Sequence, residues 1–102
     1  MDSMISREDL SVLLKNKTAP LLVDVRTPEE YERGAIPTAI NIPHEVIDDR
    51  MLVEAPDKDT PMILYCKTGR RTQIAFDTLI QQGYTHVQQY KGGYKEWSQH
   101  LA

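Results

Sequence analysis

Met62-Ile63-Leu64-Tyr65-Cys66-Lys67-Thr68-Gly69-Arg70-Arg71-Thr72-Gln73-Ile74-Ala75-Phe76 is the stretch that decides the fold. Its first four residues form an unbroken apolar run, the pattern of a strand buried on both faces of a parallel sheet. From 72 to 82 the apolar residues Ala75, Phe76, Leu79 and Ile80 recur at helical spacing, while Gln73, Asp77 and Gln81 point away from them. Gly83 is a natural C-terminal cap. The only cysteine, Cys66, falls in the loop between strand and helix.

Such a loop exposes backbone N–H groups at a helix N-terminus, where the helix dipole also favours an anion. Gly69 can take a positive φ and let the loop curl into an anion-binding nest. Lys67, Arg70 and Arg71 add three cations, and no acid occurs between Asp59 and Asp77. Each feature stabilises a thiolate more than a thiol, so Cys66 is expected to have a lowered pKa and to be nucleophilic at neutral pH. No separate general base is then required. A lone cysteine ending a buried strand is also a common small core residue. The glycine and the cations favour the reactive reading, without choosing between sulfur and phosphate chemistry.

Outward from this loop, strand and helix signals alternate. Ser6 is an N-cap candidate with acids in the turn that follows, and Leu10, Leu13 and Leu14 make an apolar stripe. Residues 21–25 read as a buried strand containing one acid, Asp24. Thr27, Pro28 and Glu30 spell a capping box with proline in the first turn, and Gly34 ends that helix. Residues 39–42 read as a second strand stopped by Pro43, and 44–54 as weakly helical. A polar connection covers 55–61, residues 86–89 suit a last strand, Gly92-Gly93 a turn, and 94–100 a final helix. This alternation predicts an α/β fold with a central parallel sheet and a ligand site beyond the carboxyl ends of its strands.

The bulk properties narrow the function classes. The length of 102 residues fits one domain, taken as 1–102. A hydrophobic fraction of 40% with 26% charged residues is that of a globular chain and not a disordered one. A net charge of −3 gives no general reason to bind nucleic acid or an anionic membrane. One cysteine forms no internal disulfide, and no Cys/His cluster has metal-ligand spacing, so no metal or other cofactor is expected. The unpaired thiol, a polar N-terminus and the lack of any apolar run near the ~20 residues needed to span a bilayer suggest a cytoplasmic protein. A monomer is the default.

Three ordered stretches resemble the rhodanese-like family, covering most of the chain. The first is Leu22-Val23-Asp24-Val25-Arg26-Thr27-Pro28-Glu29-Glu30-Tyr31, continuing to Gly34-Ala35-Ile36-Pro37 and Asn41-Ile42-Pro43. The second is the Cys66 loop, and the third Tyr90-Lys91-Gly92-Gly93-Tyr94 with Trp97. The resemblance implies a three-layer domain, a parallel sheet flanked by helices on both faces. It implies a sulfurtransferase in which Cys66 carries sulfane sulfur as a persulfide, loaded by thiosulfate or a persulfide donor. Cyanide or a thiol, a thioredoxin-like protein among the thiols, would unload it. Lys67, Thr68, Gly69, Arg70 and Arg71 would bind the anion, with Arg70 or Arg71 pointing inward. The loop from 66 to 71 has six residues, the length typical of sulfur-handling members. Phosphatase and arsenate-reductase relatives have one residue more, ending in an arginine where this chain has Thr72. Those activities, and a non-catalytic binding or regulatory module, are the alternatives. Ala35 and Thr38 replace the family's usual histidine and glycine.

Other residues are read more plainly. Asp24 and Arg26 are taken as structural groups near the site, Asp24 satisfied by backbone N–H groups and Arg26 paired with Glu30. The resemblance agrees for the aspartate. Trp97 is expected to anchor the last helix, Met51 and Met62 to pack, and Asp48-Asp49-Arg50 to be a solvated face. Lys91 is read equally as added positive field or plain surface. His44, His86 and His100 are assigned no role.

Overall fold

A computed structural model describes residues 3–101. Along the chain run α1 (Arg7–Lys15), β1 (Leu21–Asp24), α2 (Pro28–Glu32), β2 (Ile40–Asn41), a 3-10 turn (His44–Val46), α3 (Ile47–Glu54), β3 (Met62–Tyr65), α4 (Arg70–Gln81), β4 (Val87–Gln89) and α5 (Gly93–Gln99). The four strands form one parallel sheet in the order β2-β1-β3-β4. In register, Leu21 faces Met62 and Asp24 faces Tyr65. Residues 3–5 continue along β4, where Gln89 N–H donates to the Ser3 carbonyl at 2.8 Å and Ile5 N–H to the Gln89 carbonyl at 3.0 Å.

Strand alternation sorts the apolar side chains into two cores. Val23, Val25, Met62 and Leu64 pack with Ile47 and Met51 of α3 and Ala75 and Leu79 of α4. Leu22, Ile63 and Tyr65 point to the other face, where they pack with Leu10 of α1, Tyr31 of α2 and Tyr94 and Trp97 of α5. The result is the expected three layers, helix–sheet–helix. No helix among the described residues is long and apolar enough to cross a membrane.

The helix signals behave as the sequence predicts. Ser6 Oγ accepts from Asp9 N–H at 3.1 Å. The Thr27 box closes in both directions, Glu30 N–H to Thr27 Oγ1 and Thr27 N–H to Glu30 Oε1. Three bounds shift. The strand expected over 39–42 shrinks to two residues because Thr38 turns at φ +75° and Ala39 N–H closes a turn onto Ile36. The weak helix of 44–54 is a 3-10 turn followed by α3. The helix expected from 72 starts at Arg70, since Gly69 turns the chain directly into it at φ +107°. Ile80, expected on the buried face of α4, is 45% exposed, and Thr72 is buried instead. Buried Thr72, Ala75 and Leu79 keep the three- and four-residue spacing of a helix face.

Candidate active site

The sheet order reverses between β1 and β3: the chain leaves β1 toward β2 on one side and later builds β3 and β4 on the other. In open parallel sheets the crevice beyond the carboxyl ends at such a point holds the ligand. Here those ends carry Asp24 to Arg26 and Cys66.

The β1 end is a rigid scaffold. Asp24 is fully buried. Its carboxylate accepts from Arg26 Nη2 at 2.7 Å, from Arg26 Nε at 3.0 and 3.1 Å, and from Tyr65 OH at 2.8 Å. Arg26 N–H donates to it at 2.9 Å. Arg26 therefore pairs with Asp24 and not with Glu30, and Asp24 is satisfied mostly by side chains and not by backbone. Arg26 also donates to the Gly34 carbonyl at 2.6 Å and lies 4.4 Å from the Tyr94 ring centre. Burial opposes the Arg26 charge, but its bonds to Asp24 prevail and raise its pKa. Burial, reinforced by the Asp24 charge, drives the Tyr65 phenol strongly upward, so Tyr65 stays a neutral donor to Asp24.

At the β3 end Cys66 is 1% exposed, with Gly69 N–H 3.0 Å from its sulfur. Burial alone would push the thiol's pKa up. The Thr72 hydroxyl and the N–H groups of Thr72, Gly69 and Thr68 outweigh burial and bring it below the ordinary value. Thr72 Oγ1 is buried and makes no other contact of hydrogen-bond geometry, so its influence on the sulfur is that of a nearby hydroxyl dipole and not of a well-aligned bond. Cys66, Thr68, Arg70 and Arg71 line one cavity of about 360 Å³ together with His44 and Ile74.

The three cations of the loop have different fates. Arg71 forms a two-pronged pair with Glu30, at 2.6 and 3.1 Å. That bond chiefly holds the Glu30 carboxyl down at about 2. Arg70 is exposed on the cavity wall, with no ion pair among the described residues. Lys67 does not line the cavity; its side chain lines a neighbouring cleft with Arg33, Tyr94 and Lys95. The groups near the Cys66 sulfur that can attract an anion are thus N–H groups, a hydroxyl, Arg70 and a restrained Arg71.

The glycine pair after β4 supports the loop from behind. Tyr94 N–H donates to the Cys66 carbonyl at 2.8 Å and Lys95 N–H to the Lys67 carbonyl at 3.1 Å. A Cβ on Gly93 (φ +70°) would collide with the Lys67 carbonyl oxygen and lie 2.7 Å from that of Cys66. The Lys91 carbonyl oxygen lies 3.2 Å from where a Cβ on Gly69 would be. The Lys91 side chain is solvated surface. Trp97 is half-buried and meets the buried Tyr90 edge-to-face at 6.5 Å.

Sequence reading missed Thr72, His44, Ile74 and Glu30 as parts of this site. Thr72 was legible in principle, because the third residue of a helix presents both a free N–H and a side chain to its N-terminal end. His44 follows the proline that stops β2, at the same carboxyl edge of the sheet. Glu30 and Arg71 are joined only by tertiary structure, 41 residues apart.

A family model described as the rhodanese-like domain matches residues 6–100. The chain is 41% identical to a protein called sulfurtransferase from Allochromatium vinosum, over 98% of this chain and 92% of that one. It is 39% identical to thiosulfate sulfurtransferase PspE of Escherichia coli, over 72% and 70%. The fold superposes on human single domain sulfurtransferase TSTD1 with a TM-score of 0.87 at 29% identity, covering 100% of both chains. A cysteine at the switch point of a three-layer parallel sheet, the two-glycine support behind it and these likenesses agree: the chain belongs to the rhodanese-like domain family.

Proposed function

We propose that this protein is a sulfurtransferase that carries sulfane sulfur on Cys66. The observation that carries the reading is the Cys66 sulfur at the floor of the six-residue loop, with Gly69 N–H at 3.0 Å and Thr72 and Thr68 directed to the same point. The thiolate attacks the outer sulfur of thiosulfate. The bond between the two sulfurs of thiosulfate breaks, its electron pair leaves with sulfite, and Cys66 retains the transferred sulfur as a persulfide. The terminal sulfur of that persulfide is an anion and takes the place that the loop N–H groups and Arg70 prepare. A thiol or cyanide, a thioredoxin-like protein among the thiols, then removes the sulfur and regenerates the thiolate. A protein persulfide can replace thiosulfate as donor in the same geometry. Names of the relatives support sulfur transfer, and one of them names thiosulfate.

Lys67, Thr68, Gly69, Arg70 and Arg71 are the anion-binding set in this reading, Lys67 through its backbone alone. Asp24 and Arg26 hold the loop's platform and take no part in the chemistry. A six-residue loop with Arg71 tied to Glu30 leaves less room for a tetrahedral oxyanion than a phosphatase needs. Thiocyanate release from thiosulfate and cyanide tests the reading. Turnover that disappears in Cys66→Ser is expected. Turnover that survives in Cys66→Ser would overturn it.

A further inference from the structure

Unloading a persulfide onto a thiol raises a proton problem that loading does not. At neutral pH a typical thiol is only a few per cent ionised, about 3% for a pKa of ~8.5, yet the thiolate is the nucleophile. The acceptor must lose a proton within reach of Cys66. Six residues line the Cys66 cavity: His44, Cys66, Thr68, Arg70, Arg71 and Ile74. Ile74 is apolar, the Thr68 hydroxyl does not titrate, and both arginines remain protonated. The Cys66 sulfur is already bonded in the persulfide. Among these only His44 carries a ring-nitrogen lone pair that can take a proton.

The ring is set for that task. His44 N–H donates to the Val25 carbonyl at 3.0 Å, which fixes its backbone at the β1 end. Nδ1 is buried and lies 2.9 Å from Glu45 Oε1 without the alignment of a hydrogen bond, while the side chain as a whole is 22% exposed. That carboxylate is the nearest acceptor for a proton carried on Nδ1, an arrangement that would leave the lone pair on Nε2. The other charged groups facing the cavity are Arg70, Arg71 and, once loaded, the persulfide sulfur on Cys66. From α3, packed behind the 3-10 turn, Asp48 and Asp49 project into solvent.

We propose that His44 is the base that takes the proton of an acceptor thiol during sulfur transfer out of Cys66. This rests on the persulfide reading above. R–S–H gives its proton to Nε2, and its sulfur bonds to the outer sulfur of the persulfide. The bond from that sulfur to Cys66 Sγ breaks, with its electron pair left on Sγ as thiolate. R–S–S⁻ departs and the imidazolium releases its proton to water. The acceptor sulfur is oxidised to the persulfide level and Cys66 is reduced from it.

The test is single-turnover discharge of protein loaded with thiosulfate, comparing 2-mercaptoethanol with sulfite as acceptors. Sulfite attacks as a dianion with no proton to lose. For His44→Gln at pH 7, the ratio of thiol to sulfite discharge rates is expected to fall about ten-fold or more. The deficit should shrink toward pH 9.5, where the thiol is ionised in bulk. In His44→Ala, added imidazole should restore thiol discharge. An unaltered ratio, or a deficit equal for both acceptors and constant with pH, would overturn the inference while leaving the persulfide cycle intact. Wild-type protein that never gains sulfur from thiosulfate or from a low-molecular persulfide would overturn both.

Discussion

Opposing forces set the reactivity of Cys66: burial disfavours its charge, and the Thr72, Gly69 and Thr68 donors favour it more strongly. Because the thiol's pKa is lowered, the thiolate fraction reaches its plateau at a lower pH than in free cysteine. Thr72→Val keeps the shape and removes the hydroxyl, so the midpoint of iodoacetamide alkylation against pH should move upward and the rate at pH 7 fall several-fold. An unmoved midpoint would exclude the hydroxyl as a donor to the thiolate. Glu30 has the same sign for a different reason. Its carboxyl is held at about 2, well below the ordinary 4.5 of a glutamate, chiefly by Arg71. Its contribution to stability is present above pH 4.5 and is lost as pH falls toward 2. Arg71→Gln should cost about 1 kcal/mol or less at pH 7, since both partners are partly exposed. That difference should close on acidification, as read by urea unfolding at pH 7 and pH 3. The cysteine and its cations were legible because they are neighbours in sequence. Glu30 and His44 were not, because only the folded sheet brings them to its carboxyl edge.

At the scale of elements, one strand end and one helix start make the site, and a second helix start braces it. The first N–H groups of α5 satisfy the carbonyls of Cys66 and Lys67. That arrangement requires Gly93 to take φ +70° with no side chain against the loop. Gly93→Ala should therefore destabilise by about 2–3 kcal/mol, combining left-handed strain with displacement of the loop, and should slow sulfur loading. A thermal melt and a loading time course check the two effects separately. A variant with wild-type melting and loading would show that the brace is dispensable. The Asp24–Arg26 pair belongs to this scale too. Asp24→Ala leaves a buried guanidinium without its partner and should cost about 3–5 kcal/mol in chemical denaturation. Capping boxes and helix faces were readable in advance because they depend on residues within one turn. The short β2 and the early start of α4 were not, because Thr38 and Gly69 set them through backbone angles that composition does not reveal.

Over the whole molecule, a parallel sheet with its switch point between β1 and β3 places Cys66 where a ligand crevice forms, in a chain of net charge −3. The alternation of strand and helix patterns made this architecture legible. The two-sided core followed from strands whose successive residues face opposite layers. In the proposed reaction, global charge repels thiosulfate while the local field of Arg70 and the loop attracts it, so short-range attraction would govern capture. Raising salt from about 20 mM to 500 mM should lower kcat/KM for thiosulfate several-fold, and leave alkylation by neutral iodoacetamide nearly constant. A salt-independent kcat/KM would mean that the cations do not help to seat the anion. The central claim is that Cys66 itself carries the sulfur, and intact-protein mass spectrometry after incubation with thiosulfate tests it most directly. The account predicts a gain of one sulfur atom, located on Cys66 and removed by cyanide; folded protein with a free thiol that gains no sulfur from thiosulfate or from a persulfide donor would contradict it.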